Sequence, residues 1–264
     1  MELSFVIRPE MAHQREWGAL LAEGAKRHGH AVTVTSDPQN AIGDAYVCWG
    51  WRIGALLRKR GCEVLVMERG YVGDREKWSS LGWNGLNGRA TVRWKNPPDA
   101  DRFNKHFAMA PWKKRPKGYN LIMGQVRGDQ ALIGVDIMAW YREATETLSR
   151  FGAVAFRAHP GDQESPNIPG CRVIPGDLDH ALAFARMVVT YNSNSGVDAA
   201  LAGVPVCAVD DGSMAAPIAT RYVGEKPIYP DREEWAAALA WRQFRREEFG
   251  NGFAWDIIGE PECL

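Results

Sequence analysis

A run of four polar residues separates an apolar segment from a short predicted helix in the sequence VVTYNSNSGVDAALAGVPVCAV (188–209). The flanking apolar runs are bounded by turn residues, which is typical of strands buried on both faces. The turn brings hydroxyls, amides and backbone N–H groups to a helix N-terminus, where partial positive charge favours a phosphate. The sequence therefore predicts a phosphate site at Asn192, Ser193, Asn194 and Ser195. The alternative is that Ser195 or Asn194 only caps the helix.

Two further polar segments follow strand-like runs in the same half of the chain. The run 120–123 leads into the turn GQVRGD, and the run 154–157 leads into AHPGD. Because the carboxyl ends of parallel strands meet at one edge of a sheet, we expect both segments to lie beside the Asn/Ser turn and to hold a diphosphate or a nucleotide phosphate with it. The further candidate ligand-binding residues are Gly124, Gln125, Arg127, Arg157, His159 and Pro160.

Glu68 stands at the carboxyl end of a predicted strand in the first half of the chain. The stretch that follows it, 69–90, is rich in glycine and has no helical or strand periodicity. A long structureless loop in a compact domain is commonly functional, so we predict a loop that faces a substrate. The alternative for Glu68 is a strand-end carboxylate paired with Arg69 or Arg75.

The segment 89–117 is locally basic, with interleaved aromatic residues and four prolines. This composition fits a groove for a polyanion with rings available for stacking. It also fits a solvated linker between two domains. The residues predicted to contact a molecule bound in this groove are Arg93, Trp94, Lys95, Lys113, Lys114 and Arg115.

Strand-like and helix-like segments alternate along both halves of the chain, and a late helix is predicted at 235–249. Alternation of this kind predicts the α/β class, with parallel sheets covered by helices. We expect two Rossmann-like domains facing across a cleft, with boundaries at 1–117 and 118–230. The remaining residues, 231–264, are expected to form a helical segment that packs back across the cleft.

Composition narrows the classes of protein to consider. The 264-residue chain has zero formal net charge, 45% hydrophobic residues and 24% charged residues, as expected for a soluble globular protein. No apolar run approaches the roughly 20 residues of a membrane span. The N-terminus lacks a signal-peptide pattern, and the five scattered cysteines fit reduced thiols, so we expect a cytoplasmic protein.

Several common catalytic motifs are missing from the sequence. There is no HExxH, Cys/His cluster, GxGxxG, GxxxxGK[ST] or GxSxG. Their absence argues against a zinc hydrolase, a simple dinucleotide enzyme, a P-loop kinase and a serine hydrolase. We expect neither a metal site nor a resident cofactor.

Three segments of the second half resemble the nucleotide-sugar domain of GT-B glycosyltransferases. They are LIMGQVRGDQAL (121–132), FRAHPGD (156–162) and YNSNSGVDAALAGVPV (191–206). The resemblance is closer to the bacterial capsule enzymes, the Kdo transferases and polysialyltransferases. It implies that the His-Pro and Ser motifs bind the phosphates of a donor, a UDP- or CMP-linked sugar, and that the first domain binds the acceptor.

That family carries two acidic residues before a glycine, and this acidic pair supplies the catalytic base. The similar segment is ERG (68–70), in which the first acid is kept and the second is arginine. The resemblance therefore implies either Glu68 or Asp74 as the base. In the implied direct displacement, the base takes a proton from the acceptor hydroxyl while protein groups, without a metal, meet the charge on the departing phosphate.

The whole chain also looks like small GT-B enzymes of bacteriophages, which glycosylate 5-hydroxymethylpyrimidines such as 5-hydroxymethylcytosine in DNA. A flipped base needs aromatic walls and a carboxylate near its hydroxymethyl group, which predicts roles for Trp78, Trp83 and Glu68 and double-stranded DNA as a partner. The alternatives are a glycosyltransferase of a surface polysaccharide and a nucleotide- or nucleic-acid-binding module without catalysis. A sugar-nucleotide epimerase is a further possibility on fold alone.

Overall fold

The computed structural model describes residues 1–94, 96–162 and 166–259. The chain divides into two compact units. The first unit comprises residues 1–107 and the chain from Glu233 onward, and the second comprises 108–232. The chain therefore leaves the first unit earlier than the predicted boundary at 117, so the positions 108–117 belong to the second unit.

The first part of the chain alternates strands and helices as far as the fourth strand. Its elements are β1 (Glu2–Val6), α1 (Ala12–Arg27), β2 (Ala31–Thr35), β3 (Ala45–Trp49), α2 (Trp51–Arg58), β4 (Glu63–Arg69), β5 (Ser79–Trp83) and α3 (Asp101–His106). Helix α1 buries Trp17, Leu21 and Ala25, whose four-residue spacing places them on one face of the helix. Strands β1 to β4 are parallel, and β5 returns antiparallel to β4.

The β4–β5 hairpin corrects the prediction of an irregular loop over 69–90. All five residues of β5, SSLGW, are buried, and they pair with 65–69 of β4. Buried serines and a glycine hide the alternation by which a strand is normally recognised. The irregular part of the hairpin is confined to 70–78 at its tip.

The second unit is a parallel sheet with helices between its strands. Its elements are β6 (Tyr119–Met123), α4 (Ile137–Ser149), β7 (Val154–Arg157), β8 (Arg172–Val173), α5 (Leu178–Ala183), β9 (Ala185–Thr190), α6 (Ser195–Leu201) and β10 (Val206–Ala208). The strand order is β10-β9-β6-β7-β8. Asp136 and Asp177 cap α4 and α5 by accepting backbone N–H bonds at 2.9 and 2.8 Å. The carboxyl ends of β6, β7 and β9 therefore lie side by side.

The end of the chain returns to the first unit. Its elements are α7 (Glu233–Trp241), β11 (Gln243–Phe244), α8 (Arg246–Gly250) and α9 (Phe253–Ile258). Strand β11 pairs antiparallel with β5, which gives the first sheet the order β11-β5-β4-β3-β1-β2. The helix predicted at 235–249 is thus interrupted, because the chain is extended where it joins the sheet. Among the described residues, none of the helices combines the length and apolar character needed to cross a membrane.

Candidate functional site

Three loops meet at the carboxyl edge of the second sheet, as the sequence predicts. The N–H of Gly124 donates to the carbonyl of Arg157 at 2.8 Å, which joins the loops after β6 and β7. A Cβ on Gly124 would lie 2.9 Å from Phe156 Cζ and 3.1 Å from the backbone nitrogen of His159. Glycine is therefore required here by the close approach of two loops, whether or not a ligand is bound.

Gln125 and Asn192 link the loops after β6 and β9, and both are buried. Gln125 Nε2 donates to Asn192 Oδ1 at 2.7 Å, and the N–H of Asn192 donates to Gln125 Oε1 at 3.1 Å. Asn192 Nδ2 also donates to the carbonyl of Ala131 and to Asp210 Oδ1, at 2.8 and 3.1 Å. Tyr141 extends the network, because its hydroxyl accepts the N–H of Gln125 at 2.8 Å and burial raises its pKa to about 12.

This network corrects the prediction that Gln125 and Asn192 contact a ligand. Their amide groups are occupied by each other and by the neighbouring backbone, and they are 5% and 3% exposed. Buried polar networks that are fully hydrogen-bonded rigidify the segments they join. The two residues therefore fix the loops on which the remaining candidates stand.

Ser193 and Ser195 form a pair of hydroxyls on the turn before α6. Their Oγ atoms lie 2.8 Å apart, and Ser193 Oγ also accepts the N–H of Ser195 at 3.2 Å. One hydroxyl proton lies between the two oxygens, so the pair retains a second hydroxyl proton that it can donate elsewhere. The N–H groups of Ser193, Gly196 and Val197 bond within the turn. Hydroxyls, rather than bare amides of the helix end, are thus the donors that this turn can offer to a phosphate.

The ring of His159 is oriented by its own turn. Its Nδ1 accepts the N–H of Gly161 at 3.0 Å, so the neutral ring carries its proton on Nε2. Pro160, between the two residues, is exposed and fixes the turn. The ring can therefore present an N–H donor at Nε2.

Two arginines flank these groups. Arg127 forms an ion pair with Asp162 at 3.2 Å, and its side chain is 44% exposed. Arg157 is half-buried, and within the described chain its Nε is buried without a hydrogen-bond partner. Burial lowers the pKa of Arg157, while the carboxylates of Asp177 and Asp198 raise it. Arg157 remains a cation, because an arginine guanidinium stays protonated at neutral pH.

In the first unit, Glu68 lies near the carboxyl end of β4 and is half-buried. Its Oε1 accepts the N–H of Arg69 at 2.9 Å, and its backbone carbonyl accepts the hydroxyl of Ser79 at 2.9 Å. The guanidinium of Arg69 is directed to Glu76, with an ion-pair distance of 2.5 Å. The side chain of Arg69 thus pairs along the hairpin.

Asp74 is exposed at the tip of the hairpin. Its Oδ1 accepts the N–H of Glu76 at 3.0 Å, and its Oδ2 lies 3.3 Å from Lys77 Nζ. The backbone hydrogen bond from Glu76 and the bond from Lys77 lower the pKa of Asp74. A turn-capping carboxylate with a lowered pKa is a poor proton acceptor, so the geometry favours Glu68 over Asp74 as a base.

The two predicted aromatic walls are contradicted by the structure. Trp83 is fully buried, and its Nε1 donates to the carbonyl of Ile258 at 3.3 Å. Trp78 is 6% exposed and packs against the rings of His106 and Phe107. Neither indole has a face available to an acceptor, because both serve the core of the first unit.

The basic segment is divided between the two units. Arg93 pairs with Glu63 at 2.8 Å, at the opposite end of β4 from Glu68. Trp94, beside it, is half-exposed, and Lys95 lies outside the described residues. The position of Arg93 therefore does not support a contact with a ligand at Glu68.

The later part of the same segment is bound to the second unit. Arg115 donates to the carbonyls of Leu182 and Ala185 at 2.8 and 3.3 Å, while Lys113 and Lys114 are exposed. These contacts favour the linker interpretation, and they leave Lys113 and Lys114, like Lys117, facing solvent.

Trp112 and Arg232 join the first and the last residues of the second unit. The guanidinium of Arg232 lies 3.7 Å from the Trp112 ring centroid, and Trp112 Nε1 donates to the carbonyl of Pro230 at 2.8 Å. Arg232 also donates to the carbonyl of Ala110 at 2.8 Å. The aromatic residue of this basic stretch thus has a structural role.

Sequence reasoning missed His13 and Trp49, which lie in the first unit near Glu68. Their ring centroids are 4.8 Å apart, and Trp49 pairs in the sheet with Met67, next to Glu68. Burial and the charge of Arg69 lower the pKa of His13, against a smaller opposing effect of Glu76. Their positions in the sequence could have indicated them. Trp49 is the last residue of β3, and His13 lies in the first turn of α1, shortly after β1.

No group of three His, Cys, Asp or Glu side chains that could hold a metal ion is found in the described ranges. Each of the two α/β units has its candidate groups at the carboxyl ends of parallel strands, an arrangement typical of the GT-B class of fold. No protein-family model and no curated protein matches the sequence.

Two solved structures are similar to this chain over most of its length. A KpsC β-Kdo 2,7-transferase from Thermosulfurimonas dismutans matches with a TM-score of 0.59 and 14% identity, over 90% of this chain and 89% of that one. A KpsC β-Kdo 2,4-transferase from the same organism matches with a TM-score of 0.55 and 14% identity, over 89% of each chain. These matches confirm the predicted GT-B fold.

Proposed function

We propose that this protein is a glycosyltransferase that moves a sugar from a nucleotide-sugar donor to an acceptor hydroxyl. The observation that carries the proposal is the donor edge of the second unit, which consists of the carboxyl ends of β6, β7 and β9 and the loops that follow them. There His159 and the Ser193–Ser195 pair stand on loops locked by buried amides, in a fold similar to that of Kdo transferases.

The donor edge supplies hydrogen bonds and charge to the phosphate of a UDP- or CMP-linked sugar. His159 Nε2–H and the hydroxyl proton of the serine pair donate to phosphate oxygens, and Arg157 lies beside them as a cation. As the bond between the anomeric carbon and the phosphate oxygen breaks, negative charge grows on that phosphate. Preorganised donors that face the growing charge lower the barrier.

Glu68 acts as the general base in this proposal. Its carboxylate takes the proton of the acceptor hydroxyl while the hydroxyl oxygen forms its bond to the anomeric carbon. The products are the glycosylated acceptor and the nucleotide. The N–H of Arg69, which bonds to Oε1, orients this carboxylate.

For the acceptor, we propose a hydroxyl of a glycan. The buried indoles of Trp78 and Trp83 remove the stacking surfaces on which a flipped 5-hydroxymethylpyrimidine would depend. Two solved structures with a similar fold, a β-Kdo 2,7-transferase and a β-Kdo 2,4-transferase, favour a sugar as the acceptor. Exposed Lys113 and Lys114 are what remains in support of double-stranded DNA as the acceptor.

Mass spectrometry with both acceptor classes tests the proposal. The protein is incubated with UDP- and CMP-linked sugars and with either oligosaccharides or hydroxymethylated duplex DNA. A sugar-mass increment on an oligosaccharide supports the glycan acceptor, and an increment on nucleosides after digestion supports DNA instead. Donor binding without any transfer or hydrolysis, and without an effect of Glu68→Ala, would establish a non-catalytic binding module.

A further inference from the structure

We infer that Gln243, on the returning strand β11, is a positioning residue for Glu68; the inference rests on the proposed function. Gln243 is fully buried. Its Oε1 accepts the N–H groups of Tyr71 and Val72 at 2.6 and 3.0 Å, and its Nε2 donates to the carbonyl of Val72 at 3.0 Å. One side chain thus makes three hydrogen bonds to the backbone just after the end of β4, where the regular pairing between strands has stopped.

These bonds act on the backbone that orients the Glu68 carboxylate. Because Oε1 of Glu68 accepts the N–H of Arg69, the carboxylate follows the peptide planes at 68–70. Serine hydroxyls of β5 hold the carbonyls of Glu68 and Arg69, at 2.9 and 3.1 Å. Gln243 holds the amides that come next, so the segment is fixed from both sides.

The turn leaves little freedom for another arrangement. A Cβ on Gly70 would lie 2.6 Å from Trp78 Cβ and 3.1 Å from Gln243 Oε1. Gln243 itself is held through its backbone carbonyl, which accepts a bond from Arg102 at 2.9 Å. Arg102 is in turn paired with Glu248 by two bonds of 2.7 Å. Gln243 therefore couples the returning segment, which is the chain from Glu233 onward, to the loop after Glu68 without itself touching a substrate.

Two variants, Gln243→Met and Gln243→Asn, test this role. Met has a similar length and no hydrogen-bonding amide, and Asn keeps a polar group that is too short to bond both N–H groups. We expect each variant to lower the kcat of sugar transfer about 10- to 100-fold, since small misplacements of a reacting group cost that much. Hydrolysis of the donor by water should change less than twofold, so the ratio of transfer to hydrolysis falls.

The effect must disappear when Glu68 is already removed. In a Glu68→Gln background, Gln243→Met should cost less than twofold in transfer, because residues that act as a unit are non-additive. Equal losses of transfer and hydrolysis, or an undiminished loss in the Glu68→Gln background, would overturn the positioning role. Glu247→Gln is the matched control, because it removes an exposed ion pair with Arg245 on the same returning segment and should leave the transfer-to-hydrolysis ratio unchanged.

Amide hydrogen exchange separates this inference from the proposed function. Gln243→Met should lose protection at the N–H groups of Tyr71 and Val72 while the strands keep theirs. Retained protection at both amides refutes the role of Gln243. A wild-type protein that transfers no sugar to any acceptor refutes the proposed function and the positioning role together, and the exchange data then still report whether Gln243 orders the loop.

Discussion

Replacing Asn192 with alanine tests whether the donor loops are locked by the buried amide network. The variant removes side-chain hydrogen bonds of 2.7, 2.8 and 3.1 Å, the last of them to the carboxylate of Asp210. Neutral bonds contribute about 1 kcal/mol each, a bond to a charged group about 2 kcal/mol, and the orphaned Gln125 Nε2 adds a desolvation cost. The three bonds together amount to about 4 kcal/mol, so we expect a loss of at least that size in the free energy of unfolding of the second unit.

Urea unfolding followed by tryptophan fluorescence measures that loss. Trp140 is a local reporter, since its ring centroid lies 5.5 Å from that of Tyr191, next to Asn192. With a slope of about 2 kcal/mol per molar urea, the midpoint should fall by at least about 2 M. Asn167→Ala, at an exposed asparagine of the same unit, should change the free energy by less than about 0.5 kcal/mol.

A double variant sharpens the test. When Gln125→Ala is combined with Asn192→Ala, neither amide is left buried without its partner. The combined loss should be smaller than the sum of the single losses by about 1 kcal/mol or more. A midpoint shift below about 0.3 M for Asn192→Ala, or additive losses in the double variant, would show that the network does not lock the loops.

Three further predictions follow from the two sheet edges and the returning segment. Glu68→Gln should lower the kcat of transfer by about 100- to 10,000-fold, whereas Asp74→Asn should stay within twofold, as steady-state kinetics would show. His159→Ala should raise the donor KM or lower kcat about 10- to 100-fold, and His159→Gln, which retains an N–H donor, should recover part of the loss. Burial raises the pKa of Glu248, but the hydrogen bonds from Arg102 and the N–H of Arg245 outweigh burial and leave it below the ordinary 4.5. The stability from this carboxylate is therefore complete above about pH 4.5 and is lost as the pH falls through the lowered value, so Glu248→Gln should flatten the acid limb of a Tm-against-pH profile.

The strands and the polar strand ends were predictable because their signals are local. The apolar runs before His159 and Asn192 mark strands buried on both faces, and parallel topology then brings their ends to one edge. The prediction failed where a residue's role depends on distant partners. Nothing near Gln125 indicates a partner at Asn192, and nothing near Trp83 indicates burial beneath Ile258.

The two interpretations of the basic, aromatic segment stayed open for a related reason. Charge and ring content are the same for a ligand groove and for a stretch that packs on its own domain. Arg115 and Trp112 bond to backbone carbonyls far along the chain, at Leu182 and Pro230, so their role is set by tertiary structure. Sequence composition alone could not distinguish the two outcomes.

The discontinuity of the first unit has a consequence for biosynthesis. Its sixth strand and its last helices come from the chain after 232, whereas the second unit is a single continuous stretch. During translation the second unit can complete its sheet while the first still exposes the β5 edge that β11 will cover. The lobe whose synthesis starts first is therefore finished last, and until then the loop beyond Glu68 has no glutamine to order it.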